Sequence, residues 1–339
     1  MKAVAKAHTN IALIKYWGKR NDELILPMNN SLSLTLDHFY TTTEVQFDEA
    51  LQTDTFIFNG ETASDSESAK ISSYLDRIRQ FAGVQMYAAV RSVNHVPTSA
   101  GFASSASGFA ALAAASTKAL GLDLDRKTLS ILARQGSGSA CRSVFGGFAE
   151  WEKGSRTDGS DSYAVPIMSK TEWDVRVLSV LLESNEKPIS SRKGMKRTVE
   201  TSPFYSGWLE AVDHELKEIK TAIRTKDFER LGKVAEANAL KMHATMLGSH
   251  PPFTYWQSST MAVMEEVQHL RDKGIQAYYT IDAGPNVKIL CLPEDEQKIR
   301  DELENLEMVK GIYGCRPGPG IEYKEKLPSL GDSPSPSDG

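Results

Sequence analysis

Apolar and polar positions alternate cleanly over residues 31–36, residues 86–93 are a further alternating run, and β-branched or aromatic runs recur at 43–47 and 55–58, so each of these stretches predicts a strand. Residues 69–81 read as a helix, and 109–120 is an alanine-rich stretch of strong helix propensity. A further strand is predicted at 147–151, ahead of a polar excursion over 152–163 rich in Gly, Ser and Asp. Residues 175–182 are apolar and β-branched, the pattern of a buried strand. The pattern then turns helical. Ser202-Pro203 predicts a cap followed by a proline at the first helical position, and Leu209, Val212, Leu216, Ile219 and Ile223 keep helical spacing. Helices are predicted again over 227–246 and 259–273, and strands at 277–281 and 287–292 flank a turn at Asp282. This mixture predicts an α+β fold with a soft boundary near 182–185, giving one α+β lobe over 1–183 and a second over 184–330. The last stretch, 331–339, holds only Ser, Pro, Asp and Gly and is expected to be disordered.

Composition narrows the function classes. The chain has 339 residues, 40% hydrophobic and 24% charged, which suits a soluble protein with well-buried cores. Its net charge of −5 predicts no general attraction to nucleic acid or to an anionic membrane, so a polyanionic ligand must be drawn in by a local cluster of cations. Cys141, Cys291 and Cys315 are scattered, without a C-x-x-C pair, which argues against a disulfide framework or a zinc site and for a reducing compartment. The N-terminal stretch has no apolar core of signal-peptide type and no run approaches a membrane span, so the cytoplasm is expected.

The candidate chemistry begins at residues 96–108, Val96-Pro97-Thr98-Ser99-Ala100-Gly101-Phe102-Ala103-Ser104-Ser105-Ala106-Ser107-Gly108. This small-residue loop lies between the strand at 86–93 and the helix at 109–120. Backbone N–H groups there can approach a ligand unhindered, and the helix start adds its dipole and unpaired donors. Gly101 and Ala103 leave room for a polyphosphate, and Ser104 and Ser105 offer hydroxyls to phosphate oxygens or to a metal ion. Ser92 and Asn94, just ahead, are candidates to touch the nucleotide. The same residues would also serve as a plain helix cap with close packing. No G-x-x-x-x-G-K-[ST] motif occurs, and Gly136-Ser137-Gly138 lacks the third glycine of a dinucleotide fingerprint because Cys141 stands there.

The Pro97-x-x-x-Gly101-x-x-Ser104-Ser105-Ala106 pattern resembles the phosphate loop of the GHMP small-molecule kinase superfamily. Other segments are similar to the mevalonate diphosphate decarboxylases, bacterial type. They are Ala7 through Lys19, Gly136 through Ser143 with Gly146 through Trp151, Gly194 through Ser202, Pro251 through Tyr255, and Asp282 through Lys288. The resemblance spans nearly the whole chain. It implies a two-lobed GHMP-kinase-like fold with the active site in the cleft between lobes, and a homodimer. It implies ATP and Mg²⁺ as cofactors and mevalonate 5-diphosphate as the small-molecule substrate, phosphorylated at its C3 hydroxyl and then decarboxylated. A small-molecule kinase that keeps its phosphorylated product and a decarboxylase of a mevalonate monophosphate are the alternatives, together with a non-catalytic nucleotide-binding regulator.

Roles follow residue by residue from that resemblance. Asp282, by itself an ordinary turn residue, matches the catalytic aspartate, and Lys187 matches a lysine placed near it and the transferred phosphate. Arg142 matches the arginine that holds the departing carboxylate, with Ser137 and Ser139 donating to the substrate from the same turn. Tyr16, Lys19, Ser191 and Arg192 are expected to hold the substrate diphosphate, the last two at a helix start. Trp17, Trp151 and Met195 are expected in the core, and His8 and His243 as packed or surface residues. Lys187, Arg192, Lys193, Lys196 and Arg197 supply the local positive cluster.

Overall fold

The structure is a computed structural model that describes residues 1–96, 104–182 and 189–329, with Ser104 described by its backbone alone. Gly101, Ala103, Lys187 and the tail at 331–339 therefore lie outside the described residues. Along the first part of the chain run β1 (Lys2–Ile14), a small hairpin of β2 (Lys19–Asn21) and β3 (Leu26–Pro27), β4 (Ser31–Asp48), β5 (Thr55–Phe58) and β6 (Glu61–Thr62). Then come α1 (Asp65–Ala82), β7 (Tyr87–His95), α2 (Ser104–Ala119), α3 (Arg126–Gly136), a 3₁₀ turn (Gly138–Val144), β8 (Phe148–Trp151) and β9 (Ala164–Met168). The second part runs β10 (Arg176–Leu182), α4 (Ser191–Thr201), α5 (Tyr205–Thr225), α6 (Phe228–Leu247), α7 (Ser258–Asp272), β11 (Tyr278–Ile281) and β12 (Val287–Cys291). It ends with α8 (Glu296–Glu304), β13 (Val309–Cys315) and β14 (Glu322–Lys324). The fold is the expected α+β class.

Two sheets organise these elements. The larger has the order β14-β1-β4-β7-β5-β6, with β8 joining β4 and β9 joining β8; the smaller has the order β11-β12-β10-β13. One face of the larger sheet, with Ala5, Ala7, Val45, Phe47 and Val90, packs against α2, whose buried Ala110, Ala111, Ala113 and Ala114 let the helix come close. Helix α1 adds Ile71, Tyr74, Leu75 and Ile78 at helical spacing, between a Ser64 capping box and a left-handed Gly83. The smaller sheet is covered by α7 and α8 through Val263, Val267, Leu270, Ile299 and Leu303. A further core joins the halves, packing Ile11, Ile14 and Leu34 with Trp208, Ile219 and Met242.

The structure departs from the expected elements at particular places. Residues 31–36 and 43–47 belong to one strand, β4, which bulges where the pairing jumps from His8↔Tyr40 to Asn10↔Thr35 and so breaks the alternation. Ser202 ends α4 instead of starting the next helix, donating its N–H to Thr198 O, and α5 begins at Tyr205. β10, placed before the predicted boundary, pairs with β12 and β13 of the smaller sheet. The chain then returns, and β14 pairs with β1. Among the described residues no helix is long and apolar enough to cross a membrane.

Candidate active site

A cleft of about 390 Å³ opens where the end of β1, the 3₁₀ turn, the start of α4 and the loop after β11 meet. Its chemistry starts at Lys15, the first residue beyond β1. Leaving the sheet strips Lys15 of its ladder partners, and two asparagine side chains replace them. Asn238 Oδ1 accepts from the Lys15 N–H at 2.8 Å, and Asn29 Nδ2 donates to the Lys15 carbonyl at 2.8 Å. The Lys15 side chain is only 2% exposed. Its Nζ donates to Ala12 O at 2.8 Å and pairs with Asp282 Oδ1 at 2.7 Å.

Asp282 follows β11 in a tight turn closed by the Gly284 N–H on its carbonyl, which leaves its carboxylate 37% exposed at the cleft. Burial pushes this carboxyl upward, but Lys15, Lys288 and Arg142 outweigh it and hold it below the ordinary carboxylate range. Burial lowers the Lys15 ammonium despite the opposing pull of Asp282. The result is an ionised carboxylate with one oxygen engaged by a buried cation.

Arg142, on the 3₁₀ turn, is 2% exposed. Its Nη1 donates to Ser31 Oγ at 2.5 Å, and Nε and Nη2 share Asn10 Oδ1 at 3.3 and 3.2 Å. Asn10 is itself fixed by donating to Ser139 O and Ser143 Oγ. No carboxylate among the described residues pairs directly with this guanidinium. Burying an unpaired charge is costly, so the site is built for an anion from outside. Ser137 and Ser139 line the cleft beside it.

Tyr16, Lys19, Ser191 and Arg192 also line the cleft. Tyr16 packs its ring on Trp151 at 4.7 Å, and its buried hydroxyl has no partner among the described residues. Burial pushes the phenol far up, so it stays a donor. Lys19 is delivered by Gly18, whose φ of +106° suits glycine. A Cβ there would lie 2.0 Å from Tyr205 Oη, which itself donates to Trp17 O. Ser191 and Arg192 form the first turn of α4, capped by Ser190. Ser105, in the first turn of α2, and Lys70 of α1 line the cleft as well, and Lys70 also borders the opening that Lys19 and Arg192 line; Ser137 Oγ donates to Ser105 Oγ at 3.4 Å. Through Lys70 and Ser105 the cleft runs into a hollow of about 270 Å³ that Ser92 and Asn94 line with Phe58 and Leu112. There Ser92 is already bonded to Thr43, and Asn94 accepts from Thr41.

The structure thus brings Asp282, Arg142, Tyr16, Lys19, Ser137, Ser139, Ser191, Arg192 and Ser105 to one cleft, with Ser92 and Asn94 in the adjoining hollow. Lys193 and Lys196 line an adjacent opening with Arg192. Arg197 turns away, over the Phe253 ring and toward Pro251 O. Trp17 and Trp151 are buried as expected, Trp17 also bordering the cleft, while Met195 is partly buried and lines it. Sequence reasoning missed Lys15, Lys70, Asn10 and Ser31. Lys15 had a signal: a lysine flanked by Leu13, Ile14, Tyr16 and Trp17 must find a partner if that run is buried.

His8 and His243 are packed, as expected, and burial pushes both down to about 4. The unfolded chain protonates its histidines near 6.5, so between these values unfolding takes up protons and stability falls as the pH drops. The slope is up to about 1.4 kcal/mol per pH unit for each group. Urea unfolding at pH 6 and pH 5 should show this loss, and His8→Gln should flatten the slope. An unchanged slope in that variant would contradict it.

Residues 7–164 match the diphosphomevalonate decarboxylase-like N-terminal domain, and residues 177–311 match the mevalonate 5-diphosphate decarboxylase C-terminal domain. The chain belongs to the diphosphomevalonate decarboxylase family. It is 50% identical to the mevalonate diphosphate decarboxylase of Staphylococcus aureus, with a TM-score of 0.92 over 96% of this chain and 98% of that one. A solved complex of MDDEF with MVAPP, AMPPCP and magnesium is also 50% identical, with a TM-score of 0.91 over 96% of this chain and 99% of that one. The diphosphomevalonate decarboxylase of Ganoderma lucidum is 36% identical over 93% of this chain and 86% of its own length.

Proposed function

We propose that this family member converts mevalonate 5-diphosphate to isopentenyl diphosphate at the expense of ATP, releasing ADP, phosphate and carbon dioxide. The observation that carries the reading is Arg142, a buried guanidinium with no carboxylate partner among the described residues, beside the ionised Asp282. A substrate carboxylate supplies the missing anion and is held by the planar fork. Tyr16, Lys19, Ser191 and Arg192 then take the diphosphate. The start of α2, with Ser105, faces the nucleotide phosphates, and the hollow at Ser92 and Asn94 takes the rest of the nucleotide.

Asp282 accepts the proton of the C3 hydroxyl as that oxygen attacks the γ-phosphorus and ADP leaves. The C3–O bond then breaks with phosphate as leaving group. The C1–C2 bonding pair becomes the C2–C3 double bond, and carbon dioxide departs. Asp282 faces the positive character at C3, while Arg142 keeps the carboxylate aligned. Ser105, which lines the cleft from the first turn of α2, would offer its hydroxyl to magnesium. When bound, magnesium neutralises phosphate charge. Lys187 is proposed as a further cation near the transferred phosphate. Three buried free cysteines support a reducing, cytoplasmic setting.

The test is an assay of ADP and labelled carbon dioxide together, with ATP, magnesium and mevalonate 5-diphosphate. Equal release supports the reading; ADP alone would make the protein a kinase. Arg142→Lys keeps the charge and loses the fork. It should raise KM for mevalonate 5-diphosphate about 10- to 100-fold and leave KM for ATP within about twofold.

A further inference from the structure

The polar chain behind Lys15 is not needed to bind either substrate, yet it is buried and complete. Asn238 on α6 is fully buried, and Glu215 on α5 is 5% exposed. Asn238 Oδ1 accepts from the Lys15 N–H at 2.8 Å, its Nδ2 donates to Glu215 Oε2 at 2.6 Å, and Glu215 Oε1 pairs with Lys241. Both functional ends of the Asn238 amide are therefore used, and its orientation is dictated by a donor on one side and a carboxylate on the other. A buried carboxylate is costly unless paired, and Glu215 is paired with Lys241 while it accepts from the Asn238 amide. We infer that Asn238 and Glu215 are positioning residues for catalysis: they lock the backbone of Lys15 where β1 ends, and thereby the reach of its Nζ to Asp282.

The geometry supports this over a merely structural role. The strand ladder stops at Ile14, so Lys15 has no sheet bonds to keep its Cα in place. The Asn238 and Asn29 amides hold the two sides of its backbone, and Asn238 reaches it from the helical layer. From that anchor the side chain spans to Ala12 O and Asp282 Oδ1. His243, five residues further along α6, approaches the carbonyl of Ile281 at 3.3 Å, directly before Asp282. One helix thus registers both members of the ion pair.

The inference rests on the role of Asp282 proposed above, and its test separates the two. Asn238→Ala should lower kcat about 100-fold with KM for both substrates within about twofold, the cost of a displacement of about 1 Å at the reacting groups. Asn238→Asp places two carboxylates in contact and should be similarly slow. The double variant Asn238→Asp/Glu215→Gln exchanges amide and carboxylate, again gives Lys15 an acceptor, and should recover at least about tenfold in kcat over Asn238→Asp. Independently of turnover, ¹³C-aspartate NMR, with the Asp282 signal assigned by its loss in Asp282→Asn, should show that carboxyl titrating at higher pH in Asn238→Ala. The double variant should return it to its wild-type value. A wild-type enzyme inactive toward mevalonate 5-diphosphate, with the titration still shifted by Asn238→Ala, would overturn the proposed reaction and leave the positioning intact. Wild-type kcat and an unmoved Asp282 titration in Asn238→Ala, or a double variant no faster than Asn238→Asp, would overturn the positioning.

Discussion

Asp282→Asn should lower turnover at least about 1000-fold while ATP affinity stays within about threefold. The amide is nearly the same size, and the turn that presents it, closed between the Asp282 carbonyl and the Gly284 N–H, uses only backbone. What disappears is the charge and the ability to take a proton. Neither can be replaced from nearby: among the described residues lining the cleft beside Asp282, the ionisable neighbours are the cations Lys15 and Arg142. The nucleotide contacts proposed at the start of α2 and in the hollow at Ser92 are untouched, so the loss belongs in kcat. Rapid-quench detection of ADP and carbon dioxide, beside a direct nucleotide titration, separates the two quantities. Normal turnover would leave Asp282 as a turn residue and remove the proposed base.

Much of the fold was legible because period and burial agree. The β-branched and aromatic run at 55–58 marks β5, and the helical spacing of Leu209 through Ile223 marks the face of α5 that builds the joining core. β1 was legible only as a motif, since Ala, Thr, Asn and Lys positions interrupt its apolar run and it is buried on both faces. The pairing of β10 with β12 and β13 could not be read either. Strand partnership is a long-range choice, and an apolar run satisfies any two-sided neighbour. At the site, Asp282, Arg142 and Ser191 were marked by the family resemblance; taken alone, Asp282 reads as an ordinary turn residue and Arg142 as a surface cation. Residues embedded in regular or apolar segments were not singled out. Asn10 and Ser31 lie within strands and act by holding Arg142, a role visible only once β1, β4 and the 3₁₀ turn meet. Lys70 sits on α1 among ordinary helix-surface residues, and its place in the cleft depends on how that helix docks.

Lys15→Met tests the cation that the sequence reading had sought only at Lys187. Methionine fills the same buried space with a similar unbranched chain, so the packing around Ile14 and Trp17 has little reason to change. The ion pair is lost, however, and because Lys15 is buried while Asp282 is 37% exposed, the loss stays below the ~3 kcal/mol that marks the low end for a fully buried pair, up to about 100-fold if borne by the transition state. The sign of the accompanying pH effect is fixed by the causes acting on Asp282. Burial raises its pKa and Lys15 is the largest opposing influence, with Lys288 and Arg142 behind it. Removing Lys15 therefore moves the carboxyl upward. In the wild type the carboxylate is held ionised to below its ordinary range, so activity is retained through mild acid and lost only as the pH falls through that depressed value. In Lys15→Met the acidic limb of the kcat profile should shift to higher pH, and part of the lost rate should return as the medium is made alkaline. A variant that is slow at every pH with an unshifted limb would mean that Lys15 acts on the transferred phosphate and leaves the ionisation of Asp282 alone. A variant with wild-type kcat would mean that the pair is a structural salt bridge, and that the cation assisting the reaction lies elsewhere, with Lys187 as the next residue to change.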